Sequence, residues 1–192
     1  MNTHIAPPPG KLTAKQFLEF IEDRPREERW QLIDGVPFLM MSPAMLPHQR
    51  ISANLMLLLN AALASRRPEM FAIQEVALRV ETHPDTRVIA DVAVVDFEVE
   101  DVLYGTGFYL AAEVLSDSNT REHISRKREI YADAPGCLHV LIVSQREHAV
   151  EVWSRADDWN GRVYRSPDDL IDLPEFGFAC RLADLYRGVS MK

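Results

Sequence analysis

Two acidic residues stand where the surrounding sequence offers them no water. Asp91 interrupts the run RVIADVAVVDF and Glu113 the run FYLAAEVLS. Both runs are apolar enough to be buried on both faces of a sheet, where an ionised carboxylate is costly unless paired or bound to a metal. A third anomaly lies in REHISRKREIYADA, where Ile124, Lys127, Ile130 and Tyr131 follow the spacing of a core-facing helical stripe, so Lys127 points inward. Two hard carboxylates and one lysine in apolar surroundings suit phosphodiester hydrolysis. Asp91 and Glu113 would hold Mg2+, with Mn2+ as a substitute, to polarise the phosphate and acidify a bound water, while Lys127 would position that water and offset developing charge. The same residue types also build purely structural ion networks, and both readings stay open at this level.

Two further residues are candidates in support. His48 lies on the apolar face of its helix, either as a satisfied core histidine or as a group reaching the site. Glu75, in FAIQEVALRV, either supplies a third carboxylate from an adjoining strand or faces solvent. Other chemistries lack their signatures: there is no GxSxG elbow, no HExxH spacing and no glycine-rich phosphate loop. Cys137 and Cys180 lie far apart with no CxxC spacing and read as core thiols in a reducing compartment.

The elements that must position these residues are legible in the hydrophobic periodicity. A helix capped by Thr13 carries Phe17, Leu18, Phe20 and Ile21 and stops before Pro25. In QLIDGVPFLMMS, Asp34-Gly35 between two apolar runs signals a tight hairpin. HQRISANLMLLLNAALA places His48, Ile51, Leu55, Leu58, Leu59 and Ala62 on one helical face. From Phe71 the period changes to that of strands: FAIQEVALRV, RVIADVAVVDF, FYLAAEVLS, CLHVLIVS and AVEVWS, with the Lys127 helix between the third and fourth. Ser116, Ser118 and Asn119 are candidates to cap that helix, and Pro135-Gly136 ends it. Asn160-Gly161 is a further turn signal, and a short apolar helix around Leu182, Leu185 and Tyr186 closes the chain. The fold class is α/β: a mixed, twisted sheet with helices on its faces, preceded by an N-terminal helix and a β-hairpin.

The totals narrow the class. At 192 residues the expectation is an extended proline-bearing segment over 1–10 and a single domain over 11–192. No apolar run approaches the roughly 20 residues of a membrane-spanning helix, and the N-terminus lacks a secretory signal, so no membrane is expected and a cytoplasmic location is. The net charge of −8 argues against strong sequence-independent binding to nucleic acid. A local basic strip of Arg121, Arg126, Lys127 and Arg128, joined by Arg50, Arg66 and Arg67, is either the exception or, as is more usual for such a run, a solvated helix face.

Three stretches carry a resemblance. QLIDGVPFLMMSPAMLPHQRIS, ADVAVVD and EVLSDSNTREHISRKREIYADA, in order from about Trp30 to Trp153, resemble the Uma-type restriction endonuclease family of the PD-(D/E)XK nuclease superfamily. The resemblance implies a restriction-endonuclease-like core in which Asp91 matches the metal-binding aspartate, Glu113 the second acidic ligand and Lys127 the helical lysine, with His48 at a family histidine. In the wider superfamily the lysine stands two residues beyond the acid, where this chain has Leu115; the family moves it to the following helix. The chain departs from the pattern at Ala90 (usually proline), Gln31 (usually acidic), Val36 (usually glutamate) and Glu122 (usually aspartate). The activity implied is Mg2+-dependent cleavage of DNA, by a homodimer if both strands are cut. The competing readings are a non-catalytic interaction or nucleic-acid-binding module on a nuclease scaffold, and hydrolysis of a smaller phosphoester.

Overall fold

The computed structural model describes residues 10–25, 27–40, 45–98, 102–116 and 120–190. The lead-in expected over 1–10 thus lies outside the described residues apart from Gly10, as do Ser118 and Asn119. In chain order the elements are α1 (Ala14–Glu22), β1 (Arg29–Ile33), β2 (Val36–Met40), α2 (Leu46–Arg66), β3 (Met70–Leu78), β4 (Val88–Asp96), β5 (Leu110–Leu115), α3 (Arg121–Ala132), β6 (His139–Ser144), β7 (Val150–Ser154), β8 (Arg162–Tyr164), β9 (Leu170–Leu173), β10 (Phe178–Arg181) and α4 (Leu182–Leu185). The central sheet runs β3-β4-β5-β6-β7-β8, antiparallel throughout except for the parallel β5–β6 pair that α3 connects. This is the mixed sheet flanked by helices that the periodicity implied.

Local chemistry explains the element ends. Thr13 closes a capping box on α1: its hydroxyl accepts from the Gln16 N–H at 3.3 Å, and the Gln16 side chain accepts from the Thr13 N–H at 2.9 Å. Asp34 and Gly35 turn the β1–β2 hairpin with φ of 50° and 83°, as a two-residue turn of matching twist requires. The cap of α3 is Thr120, whose hydroxyl accepts from the His123 N–H. It is adjacent to the Ser116–Asn119 segment from which the sequence suggested a cap.

Each sheet face has its own core. On one side Ile51, Leu55, Leu59 and Leu63 of α2 pack on Ala72, Val92, Val94, Ala112 and Leu141, and the β9–β10 hairpin and α4 complete the layer with Ile171, Phe178 and Leu182. On the other, Ile124, Ile130 and Tyr131 of α3 cover Ala93, Ala111, Val140 and Ile142. Burying apolar surface of this kind contributes about 25 cal/mol per Å2, which is what holds α2 and α3 in place above the strands. Cys137 and Cys180 are buried free thiols, as expected.

The regularity of β3 and β4 breaks at one level. Met70 and Ala72 face α2 together with Val92 and Val94, whereas Leu78, Val88 and Ala90 face the α3 side. Even-numbered positions should keep one face along a strand, so both strands change face between these points. The change falls at Glu75, whose φ is +56°, opposite Asp91, and it is the one level of the β3–β4 ladder without a residue pair. On its other side β4 pairs with β5 only through Val92–Val94, so the two strands part at Asp91.

The free edge of the sheet at β3 is closed locally by a side chain. Asn60 of α2 donates to the Ala72 carbonyl at 2.9 Å and accepts the Ala72 N–H at 2.8 Å, taking both groups that an added strand would need.

Three features refine the sequence reading. The β7–β8 connection does turn near Asn160-Gly161, but the left-handed residues are Asp158 and Trp159. Gly161 instead makes room for the Trp153 indole, which a Cβ would meet at 2.7 Å. The basic strip is dispersed: Lys127 is buried, Arg126 is tied to Asp34 and Glu129, Arg128 stacks on Trp153 and Arg67 pairs with Glu69. The β9–β10 hairpin has strands of four residues, too short for periodicity to register. Among the described residues, no helix is long and apolar enough to cross a membrane.

Candidate active site

The parting of β4 from β5 creates the site. Where the ladder stops, Asp91 turns its own carboxylate into the gap, and Oδ2 accepts the backbone N–H of Val114 at 2.7 Å. The same oxygen lies 3.2 Å from Nε2 of His48, in the first turn of α2. A β5 residue facing the α3 side comes next, Glu113, whose neighbours on that strand are Ala112 and Val114.

Lys127 projects from α3 as its stripe predicts. Its Nζ lies 2.6 Å from Glu113 Oε1 and donates to the Ile89 carbonyl at 2.8 Å, two residues before Asp91. The side chains of Lys127 and Glu113 are only 4% and 5% exposed, so the pair is removed from water almost entirely. Tyr131, one turn further along α3, donates to the same Glu113 oxygen at 2.7 Å. The helix is steadied from outside by the fork of Arg126 on Asp34, with bonds of 2.6 and 2.9 Å, which ties α3 to the hairpin turn.

The electrostatics follow the burial. Desolvation pushes Glu113 up to about 7, Asp91 adds to the rise, and Lys127 and Tyr131 pull against it. Burial together with the Glu113 charge holds the Tyr131 phenol well above its ordinary value, so it serves as a donor. For His48, burial opposes the charged ring, but the bond to Asp91 and the charges of Asp91 and Glu113 outweigh it and raise the pKa. Asp91 and Glu113 therefore feel each other and share His48 as a neighbour.

The structure thus gathers Asp91, Glu113, Lys127 and His48 at one place. Glu75 is at its margin: its charge acts on the Asp91 region, yet its carboxylate is held by Arg29 of β1 in a two-bond fork of 2.6 and 2.8 Å. Tyr131 and Arg29 were not singled out from sequence. Tyr131 had a signal, because it sits four residues after Lys127 on the same helical face. Arg29 had none, being a half-buried polar residue at the first position of β1.

Two features bear on a divalent cation. Among the described residues, the bonds received by Asp91 fall on Oδ2 and those received by Glu113 on Oε1, so each carboxylate presents a second oxygen outside them. Against this, no group of three or more His, Cys, Asp or Glu side chains among the described residues is drawn together as a ready-made metal cage. Sites of the Mg2+ type use one or two carboxylates and fill the remaining positions with water and substrate, so an acidic pair suffices. A separate open cleft of about 340 Å3 lies between Lys11–Thr13 and the 82–86 loop, and its lining includes none of these residues.

A family model described as "Uma2: Putative restriction endonuclease" matches residues 14–183. The chain belongs to the Uma2 family. The match spans every element from α1 into α4, and so includes all the residues just described. Among solved structures, this Uma2 chain is similar to a protein from Anabaena variabilis described as "a putative nuclease belonging to DUF820", with a TM-score of 0.75 at 17% identity, over 91% of this chain and 97% of that one. At that identity the likeness establishes the shared fold, and it agrees with the restriction-endonuclease-like core that the Uma2 resemblance implied. No curated protein matches the chain.

Proposed function

We propose that the chain is a metal-dependent endonuclease that hydrolyses phosphodiester bonds in DNA. The observation that carries the reading is the meeting of Asp91, Glu113 and Lys127 at the fork between β4 and β5, supported by membership of a family described as "Putative restriction endonuclease". Asp91 and Glu113 are the residues that would hold Mg2+, or Mn2+ in its place, through the oxygens outside the bonds described above. When bound, the ion supplies Lewis-acid polarisation of the phosphate and a more acidic water.

The chain's own residues have separable tasks. His48 and the Val114 N–H fix the rotation of the Asp91 carboxylate by binding one oxygen. Lys127 is anchored on Ile89 and Glu113 and keeps a positive charge beside the acids in a site of low dielectric, where that charge counts for more than in water. Tyr131 completes the support of Glu113. A homodimer follows if both strands of a duplex are cut.

Purified protein incubated with DNA and RNA in Mg2+ or Mn2+ tests the reading. Cleavage of DNA is expected for the parent and loss of it for Asp91→Ala and Lys127→Met. Parent activity no higher than that of Asp91→Ala on every substrate sinks it. One observation favours a second reading, a non-catalytic module on the nuclease scaffold: Glu113 is already satisfied by Lys127 and Tyr131 without a cation. Calorimetric titration separates the two, since Mn2+ uptake that disappears in Glu113→Ala contradicts a purely structural network.

A further inference from the structure

We propose that Arg29 is a phosphate-binding residue of the site, held in reserve by Glu75 until a nucleic-acid backbone displaces it; this rests on the nuclease reading and extends it to a substrate contact. Arg29 and Glu75 meet fork to fork, Nη1 to Oε1 at 2.6 Å and Nη2 to Oε2 at 2.8 Å. This is the geometry in which a guanidinium also takes two oxygens of a phosphate. Unlike Lys127 and Glu113, the pair is open to solvent, with side chains 37% and 57% exposed, so an arriving ligand can reach it.

Placement gives the pair its meaning. Glu75 stands opposite Asp91 across the β3–β4 ladder, at the one level where no residue pair forms, and its left-handed backbone turns the strand there. A non-glycine residue in that region is strained and persists because its surroundings demand it. Asp91 acts on the charge of Arg29 as well as on Glu75, and His48 acts on Glu75, so the ion pair lies within electrostatic reach of the acidic site. Arg29 and Gln31 alternate on one side of β1, and the Gln31 side chain accepts the N–H of Ile89, whose carbonyl holds Lys127. Arg29 is therefore carried on the face of the hairpin that looks onto the site.

A scissile phosphate beside Asp91 and Glu113 is flanked by further phosphates of the same strand. In a chain of net charge −8 whose other basic side chains are largely dispersed or paired, Arg29 is a cation already aimed at this mouth. An incoming phosphate offers the guanidinium the same two-oxygen partner as Glu75. The exchange leaves Glu75 free to turn to water, which its exposure allows.

The experiment is the binding of a fluorescent mixed-sequence duplex, followed by polarisation in Ca2+ across a salt series, with the DNA checked intact on a gel. Arg29→Ala is expected to weaken binding about ten-fold and to reduce the slope of log Kd against log salt by about one. Glu75→Gln removes the competing carboxylate and is expected to tighten binding about two- to five-fold. The opposite signs are decisive. A pair that merely pins the hairpin to β3 moves both variants the same way, and that result overturns the proposal. So does weaker binding in Glu75→Gln, the response of a metal ligand. Parent binding unchanged in both variants overturns the Arg29 contact alone, whereas no DNA binding by the parent overturns the nuclease reading together with it.

Discussion

Lys127 and Glu113 form an ion pair of 2.6 Å in which neither side chain is more than 5% exposed. Desolvation costs of such a pair are large, and its stability rests on mutual compensation. Lys127→Met is expected to cost about 3–5 kcal/mol, because it leaves a buried carboxylate alone. Replacing both, as Lys127→Met with Glu113→Leu, is expected to recover a large part of that loss. Urea unfolding of the three proteins at neutral pH measures both effects.

Tyr131 is the second support of Glu113. Tyr131→Phe keeps the edge-on packing against Phe108, with ring centroids 5.9 Å apart, and deletes only the hydroxyl. The expected loss is about 1–3 kcal/mol, the cost of removing one partner of a buried acceptor. Thermal unfolding monitored by circular dichroism provides the value, with DNA cleavage expected to fall in parallel.

Asn60 occupies both backbone groups of Ala72 that face the free edge of the sheet. Asn60→Ala uncovers them on a strand that also exposes Phe71. The expected outcome is concentration-dependent self-association that the parent lacks at the same dilution, together with a loss of about 1–2 kcal/mol. Sedimentation velocity over a dilution series reads the association directly.

The Asp34–Arg126 fork predicts a pH dependence. Arg126 holds the Asp34 carboxyl below its ordinary value of 3.8. A depressed folded pKa means that the stabilisation is present above the unfolded pKa and is lost as pH falls through the lower folded value. With the carboxylate 38% exposed, the contribution is screened and stays under about 1 kcal/mol. Asp34→Asn, which tolerates the left-handed turn, is expected to be slightly less stable than the parent at pH 7, with the difference shrinking as pH falls below the ordinary carboxyl value of 3.8. Denaturant midpoints across that range would show the two curves converging on the acid side.

Much of the site was legible because its residues contradict their neighbourhoods. Asp91 and Glu113 are acids inside Val- and Ala-rich strands, and Lys127 is a cation on a core stripe, so hydrophobic periodicity alone exposes them. Asp34-Gly35 and Thr13 announced their turn and cap through backbone chemistry that is local in sequence. What stayed hidden is non-local or lies on polar faces. Arg29 and Glu75 are 46 positions apart and partly solvated, and nothing in either neighbourhood selects the other. Asn60 looks like any polar residue on the outer side of a helix. The left-handed Glu75 lacks the glycine or asparagine that usually marks such a bend. Where chemistry and packing conflict, the chain shows its intent; where they agree, only coordinates do.

The Asp91 carboxylate replaces a rung of the sheet by taking the Val114 N–H. On the proposed nuclease reading, that gives the residue two selective pressures, one from folding and one from the reaction. A descendant that abandoned hydrolysis would still suffer on losing this aspartate, since a backbone donor would be orphaned between two diverging strands. In lineages drifting away from the proposed reaction, decay should therefore begin among solvent-reachable positions such as Arg29 and Glu75, while the aspartate persists for its place in the sheet alone.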